Sequence, residues 1–197
     1  PNGVCFEDCF LSIQDGKLAV LKHSPDHKAT MKIDQNLPKD PQRVVPTSFL
    51  SFLDELFRGD PDAAEKVVLV RQFIGVCLAG CATDLQRSLL LYGAGGNGKS
   101  VLLDIIASCF DPSTVVSSSP SRWSEEYYIS QLHPSSARIT ICSELPEQSK
   151  GSSSDTFKQN ISVDPVQCTA AYTHTPTFRP HCTHICIPNH PHTTVSH

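Results

Sequence analysis

Three places in the chain carry residues suited to phosphate chemistry. The first is Gly93-Ala94-Gly95-Gly96-Asn97-Gly98-Lys99-Ser100, which fits G-x-x-x-x-G-K-[ST] at every fixed position. A loop wrapping a polyphosphate must turn successive backbone N–H groups inward, and glycine reaches the positive-φ conformations this needs at little cost. Lys99 is placed to reach β- and γ-phosphates and the Ser100 hydroxyl to ligate Mg²⁺, with the positive end of a following helix adding its attraction. All eight residues are candidate ATP-binding positions. A glycine-rich turn with a solvated lysine is the plain alternative, and it is disfavoured because an apolar strand precedes the loop and an amphipathic helix follows it.

A phosphate cradle needs a carboxylate before it can hydrolyse anything. "RITICSELPE" ends an apolar strand in Ser143-Glu144, which makes Glu144 the candidate general base and a Mg²⁺-linked group beside Ser100. Glu147, past Pro146, reads as a surface residue. The third place is "THICIPN". Asn189 follows a strand there, where an amide can hold the attacking water or sense the γ-phosphate, since ligands of such sheets sit at the carboxyl ends of strands. A turn asparagine reads equally well at that position.

Six of nine histidines fall after residue 173, and Cys182, His184 and Cys186 alternate, with His190 and His192 beyond. Zinc accepts such ligands, but every second residue of one strand lies roughly 6–7 Å from the next, too far for one tetrahedral ion to take all three. The spacing matches no standard zinc finger.

These groups need elements to position them. "SLLLY" (88–92), "ARITIC" (137–142) and "THICI" (183–187) read as short buried strands, and "KSVLLDIIASCF" (99–110) as a helix. Short apolar strands separated by helices and loops imply a mostly parallel sheet with covered faces. Upstream, residues 1–46 read as short strands and turns, with Asp15-Gly16 as a turn signal. Residues 47–58 place Phe49, Leu50, Phe52, Leu53, Leu56 and Phe57 on one helical face, with Thr47 or Ser48 as N-cap and Gly59 as stop. Residues 61–80 form a second helix ending at Gly80. "STVVSSSPS" and "EQSKGSSSD" read as exposed loops. The expected organisation is a strand/turn segment and helical domain over 1–84, then an α/β domain over 85–197.

Length and composition set the outer bounds. The 197 residues suffice for one core, or one core and a small satellite. A net charge of −4 argues against a broadly basic nucleic-acid coat, though not against a local basic groove. No apolar run approaches the roughly 18 residues of a membrane span, and no leader peptide opens the chain. Nine cysteines, scattered and set in apolar runs, suit buried thiols in a reducing cytosol. The chain begins at Pro1 rather than Met and reads as a piece of a longer protein.

Taken in order, the segments resemble the superfamily 3 helicases, in the branch of phage, plasmid and large-DNA-virus primase-helicases. "PNGV", "FLSFLDELFRGD" and "RQFIGVCLAG" are similar to the helical domain before that motor. "LLLYGAGGNGKS" is similar to its Walker A loop, including Asn97 before the last glycine, and "ARITICSELPE" to its Walker B strand. "FKQNISVDPVQCTAAYTHTPTFRP" is similar to the segment whose β-hairpin projects into the ring pore, and "HCTHICIPNHP" to motif C, with Asn189 as sensor. The resemblance covers nearly the whole chain.

It implies a P-loop NTPase fold of AAA+-like type and ATP- and Mg²⁺-dependent unwinding by a homo-hexameric ring on single-stranded or forked DNA. The setting is a host cytoplasm, or a viral factory or nucleus for a eukaryotic virus, with no membrane. The chain departs from the pattern in the hairpin segment. Ser162-Val163 stand where two glycines precede the aspartate matching Asp164, and Thr169 stands where a basic residue is usual. His174 near the hairpin turn is the remaining candidate for DNA contact, with a solvated loop histidine as the alternative. Neither the family's arginine finger nor a primase-like segment has a counterpart here. The expectation is a chain that binds ATP better than it hydrolyses it. The readings to separate are a helicase motor, a nucleotide-binding remnant, and a small-molecule P-loop kinase. For the kinase, only Arg122, Arg138 and Arg179 follow the loop.

Overall fold

Asp15-Gly16 closes the hairpin in which Gln14 pairs with Lys17. Both turn residues take left-handed conformations, φ 49° and 72°, as a two-residue turn matched to the strand twist requires. The computed structural model describes residues 3–93, 96–117, 119, 122, 125–133, 137–145, 166–167, 177–180 and 182–188. The chain divides into two units, Pro1–Cys81 with Gly96–Asp111, and Ala82–Gly95 with Pro112–His197.

In the first unit, β1 (Gly3–Cys5), β2 (Phe10–Gln14) and β3 (Lys17–Leu21) form an antiparallel meander in that order. Alternation splits its faces: Phe10 and Ser12 are buried, while Leu18 and Val20 are more than half exposed. The Gly3 N–H donates to the Ala79 carbonyl at 2.9 Å and ties β1 to the helical part.

Helix α1 spans Thr47–Leu56. Five of the six apolar positions named above are its buried or half-buried ones, and the sixth, Phe57, lies just past its end, while Ser51, Asp54 and Glu55 face solvent. Neither Thr47 nor Ser48 is the cap. Both lie inside the helix, and Pro46 stands before it, with its carbonyl accepting from the Leu50 N–H at 3.0 Å. A proline suits that place because its missing N–H has no role there.

Helix α2 spans Ala63–Leu78, two residues shorter at its start than the periodicity suggests. Asp60 and Asp62 instead hold the Lys66 ammonium at 2.7 and 2.9 Å from outside the helix. It ends in a Schellman motif, with Gly80 N–H donating to Cys77 O and Cys81 N–H to Val76 O, both at 3.1 Å. Helix α3 (Lys99–Ser108) buries Leu102, Leu103 and Ile106.

The second unit holds a four-stranded parallel sheet of β4 (Leu89–Leu90), β5 (Val115–Ser117), β6 (Ile139–Leu145) and β9 (Thr183–Pro188). Their order is β4-β9-β6-β5. A short helix, α4 (Glu126–Gln131), precedes β6. Strands β7 (Val166–Gln167) and β8 (Thr177–Phe178) make a separate antiparallel pair, within the segment where the resemblance puts a hairpin. The architecture is therefore α/β, with a small helical part early in the chain, a parallel sheet and two antiparallel ones.

Two expectations change here. Residues 115–117 of "STVVSSSPS" are a strand, not an exposed loop. They pair with Ile139–Ile141, and Val116 is buried. Two β-branched valines outweigh the serines around them. The 88–92 run is not buried throughout: Leu89 and Leu91 are buried, while Leu90 and Tyr92 are 50% and 60% exposed. Among the described residues β4 is an edge strand, so its period of two shows. The "EQSKGSSSD" stretch lies outside the described residues.

Candidate functional site

Parallel strands that pair side by side end at one edge. Leu90, Cys186 and Cys142 form a row across β4, β9 and β6, and the Leu91 N–H donates to Cys186 O at 2.9 Å. Past that row the chain leaves β4 toward Gly93, β9 ends at Pro188, and β6 runs on through Ser143 and Glu144. The backbone of Glu144 thus belongs to the same carboxyl edge from which the Gly93 loop departs, where ligands of such sheets bind. Asn189 follows Pro188 and lies outside the described residues.

The register holds a feature that sequence reasoning missed. Cys142 pairs with Cys186 and Leu145 with Pro188, so three steps along β6 run against two along β9. The extra residue is a bulge at Ser143-Glu144. Bulges bend a strand, re-aim a side chain and concentrate beside active sites. No glycine or proline marks this one in the sequence, so the residue types carried no signal for it.

In the other unit the loop enters α3. Gly98 sits at φ 85°, ψ 2°, immediately before Lys99. A Cβ there would stand 3.3 Å from Leu56 Cδ1, so a side chain would be both strained and crowded. No side chain caps α3 and no acidic residue lies in its first turn. Its positive dipole end is therefore not met by a carboxylate of its own, a setting that favours an anion. Lys99 is half-buried and its Nζ donates to Asn97 Oδ1 at 2.7 Å. Gly96, Asn97 and Ser100 are exposed. Ala94 and Gly95 lie outside the described residues, as does His174, which falls between β7 and β8.

Within the Cys/His tail, Cys182, His184 and Cys186 are core residues, while His190 and His192 lie outside the described residues. His184 and Thr140 are a lateral pair on β9 and β6, both nearly inaccessible, with the Thr140 hydroxyl bonded to His184 Nδ1. The phenol of Tyr128 in α4 lies beside the same threonine, and burial pushes its pKa up. Cys182 is pushed up to about 12 by burial, and Cys186 is raised first by its hydrogen bond with Cys142 and then by burial. These are inert neutral thiols packed with Tyr128 and Leu132. Among the described residues no group of three or more His, Cys, Asp or Glu is placed to hold a metal ion, and no disulfide forms. Nor is any described helix long and apolar enough to cross a membrane.

The fold is similar to solved apo structures of the NrS-1 C-terminal region. Two of them align over 89% of this chain at 16% identity, with TM-scores of 0.52 and 0.56. A third aligns over 90% at 14% identity, with a TM-score of 0.50. This chain spans 38–39% of the length of those chains. At such identity the likeness concerns fold alone. No curated protein matches the chain in sequence. Residues 91–196, more than half of the 197, match a protein family of unknown function, DUF5906, and the chain belongs to that family.

Proposed function

We propose that the chain is the ATP-binding motor region of a superfamily 3-type DNA helicase with an AAA+-like P-loop fold. The observation that carries this reading is the common edge of β4, β9 and β6. The phosphate-loop segment leaves the first strand, Asn189 follows the second, and Glu144 lies in a bulge of the third. β9 lies between the other two, so their backbones are roughly 10 Å apart. That span suits an acid that acts on a water at the terminal phosphate rather than on the cradle itself.

In this reading the backbone N–H groups of residues 93–98 and the start of α3 bind the polyphosphate, and Lys99 contacts its β- and γ-oxygens. The donor set fits a Mg²⁺–nucleotide: a helix start without a side-chain cap, one ammonium and one exposed hydroxyl. Ser100 and Glu144 are the residues that would hold Mg²⁺, which would supply neutralisation of charge on the phosphates. Glu144 takes the proton of the attacking water and Asn189 orients that water. DNA contact falls to the β7–β8 segment, with His174 as the polar group, in a homo-hexameric ring on single-stranded or forked DNA. The altered hairpin, Ser162-Val163 and Thr169, favours a second reading in which nucleotide binding persists without unwinding.

Titration with a fluorescent ATP analogue in Mg²⁺ tests the first part. Lys99→Ala should weaken binding by about 10- to 100-fold, the worth of a charge-assisted hydrogen bond. Glu144→Gln should leave binding intact and abolish whatever DNA-stimulated turnover exists. An affinity unchanged by Lys99→Ala overturns the proposal, and binding without DNA-stimulated turnover in the parent chain selects the second reading.

A further inference from the structure

The chain contains two Asn-Gly dipeptides, Asn2-Gly3 and Asn97-Gly98. An asparagine followed by glycine can deamidate, because no side chain shields the next backbone nitrogen from the amide carbon. The two sites differ. The Gly3 nitrogen lies in β1 and its N–H is committed to Ala79 O at 2.9 Å. Asn97 is exposed, in the loop before α3, and its Oδ1 accepts from the Lys99 ammonium at 2.7 Å.

We propose that Asn97 is a site of spontaneous deamidation promoted by Lys99, and that the product closes the loop to nucleotide. The Gly98 nitrogen, losing its proton to solvent, attacks Asn97 Cγ. A C–N bond forms and negative charge collects on Oδ1, where the ammonium already sits. A hydrogen bond from a cation to a developing oxyanion is stronger in the transition state than in the resting amide. The tetrahedral carbon then expels the side-chain nitrogen, which leaves as ammonia with a proton from solvent, and a five-membered imide remains. Water adds to one of its two carbonyls and opens it to an ordinary aspartate or to the β-linked isoaspartate. The sum is one water gained and one ammonia lost, with no redox partner.

The second half of the proposal rests on the nucleotide reading above. Either product sets a carboxylate beside Lys99, where a neutral amide stood. The ammonium is then neutralised from within and the new charge repels a polyphosphate. The isoaspartate also adds a methylene to the backbone just before Gly98, whose conformation and close approach to Leu56 leave little room for a shift. Bound nucleotide draws Lys99 away from Oδ1, so occupancy should slow the conversion. The loop would then carry a clock that runs while it is empty.

Peptide mapping by mass spectrometry, with fragmentation that separates aspartate from isoaspartate, reads both sites during incubation of the purified chain at neutral pH. Asn97 should convert about tenfold faster than Asn2, and Lys99→Met should slow Asn97 about tenfold while Lys99→Arg preserves its rate. In urea the two sites should converge and the Lys99→Met effect should vanish. Equal rates at the two sites in the folded chain, or no effect of Lys99→Met, overturn the deamidation proposal. Binding of a fluorescent ATP analogue by aged protein should fall in proportion to the converted fraction. Conversion that leaves binding unchanged overturns the nucleotide consequence while the chemistry at Asn97 stands.

Discussion

The meander β1–β3 and the parallel sheet β4-β9-β6-β5 use strands in opposite ways. In the meander, side chains alternate between a buried face and an open one: Phe10 and Ser12 inside, Leu18 and Val20 outside. In the parallel sheet, every residue from Cys182 to Ile187 is buried, so both faces of β9 are covered. A two-sided strand can hold polar groups where they find hydrogen-bond partners, as Thr140 and His184 do in each other, with the Tyr128 phenol beside them, and as Thr183 does in the Arg87 carbonyl. The backbone of Glu144 and the start of the Gly93 loop lie where this sheet ends, at its carboxyl edge. The difference suggests that the parallel sheet fixes positions while the meander tolerates change.

The largest effect should come from cutting into β9. Ile185 is fully buried and pairs on both sides, with Leu89 and Ile141. Ile185→Ala should cost about 2–5 kcal/mol by urea denaturation, against no more than about 0.5 kcal/mol for Val20→Ala on the open face of β3. Similar losses at both would break the comparison.

The polar seam comes next. Thr140→Val keeps the shape but removes the hydroxyl that His184 bonds and Tyr128 adjoins, and should cost about 1–3 kcal/mol. A neutral or stabilising result would show that the seam is replaceable by apolar packing. At the meander turn, Gly16→Ala forces a Cβ into a left-handed conformation at φ 72° and should cost about 1 kcal/mol. Space is not at issue there, since the added Cβ meets nothing within 4 Å. A larger loss would mean the meander is less tolerant than its exposure indicates.

The same contrast explains what could be read without coordinates. The helical face of α1, the Asp15-Gly16 turn and the β6 and β9 strands are visible because period and turn chemistry are local. The β5 strand was hidden by serines, since its pairing with β6 is a tertiary fact. The buried role of His184 was equally hidden: alternate Cys and His look the same in a ligand set and in a core, and only the neighbouring Thr140 decides between them. For the candidate site, Gly93–Ser100 and Glu144 stood out as residue types in a fixed order. The bulge at Ser143-Glu144 and the Lys99–Asn97 bond did not, because register and side-chain pairing depend on parts of the chain that the local pattern does not contain.

The smallest effect concerns acid. Asp8, in the connection between β1 and β2, accepts the Leu37 N–H at 2.9 Å, and this bond holds its carboxyl below the ordinary 3.8. A carboxylate with a lowered value favours the folded form at every pH above its unfolded value, and that contribution is lost as pH falls through the folded one. The Leu37 amide should therefore keep its NMR shift from neutral pH down to about 4. It should then move as the bond is lost, while amides of β9 stay in place. Asp8→Asn should remove the inflection. Because the carboxylate is solvent-exposed, the effect on global stability should be slight, with the change confined to the segment that Leu37 anchors beside the meander. Acid movement in β9 at the same pH would show that the two sheets do not respond independently.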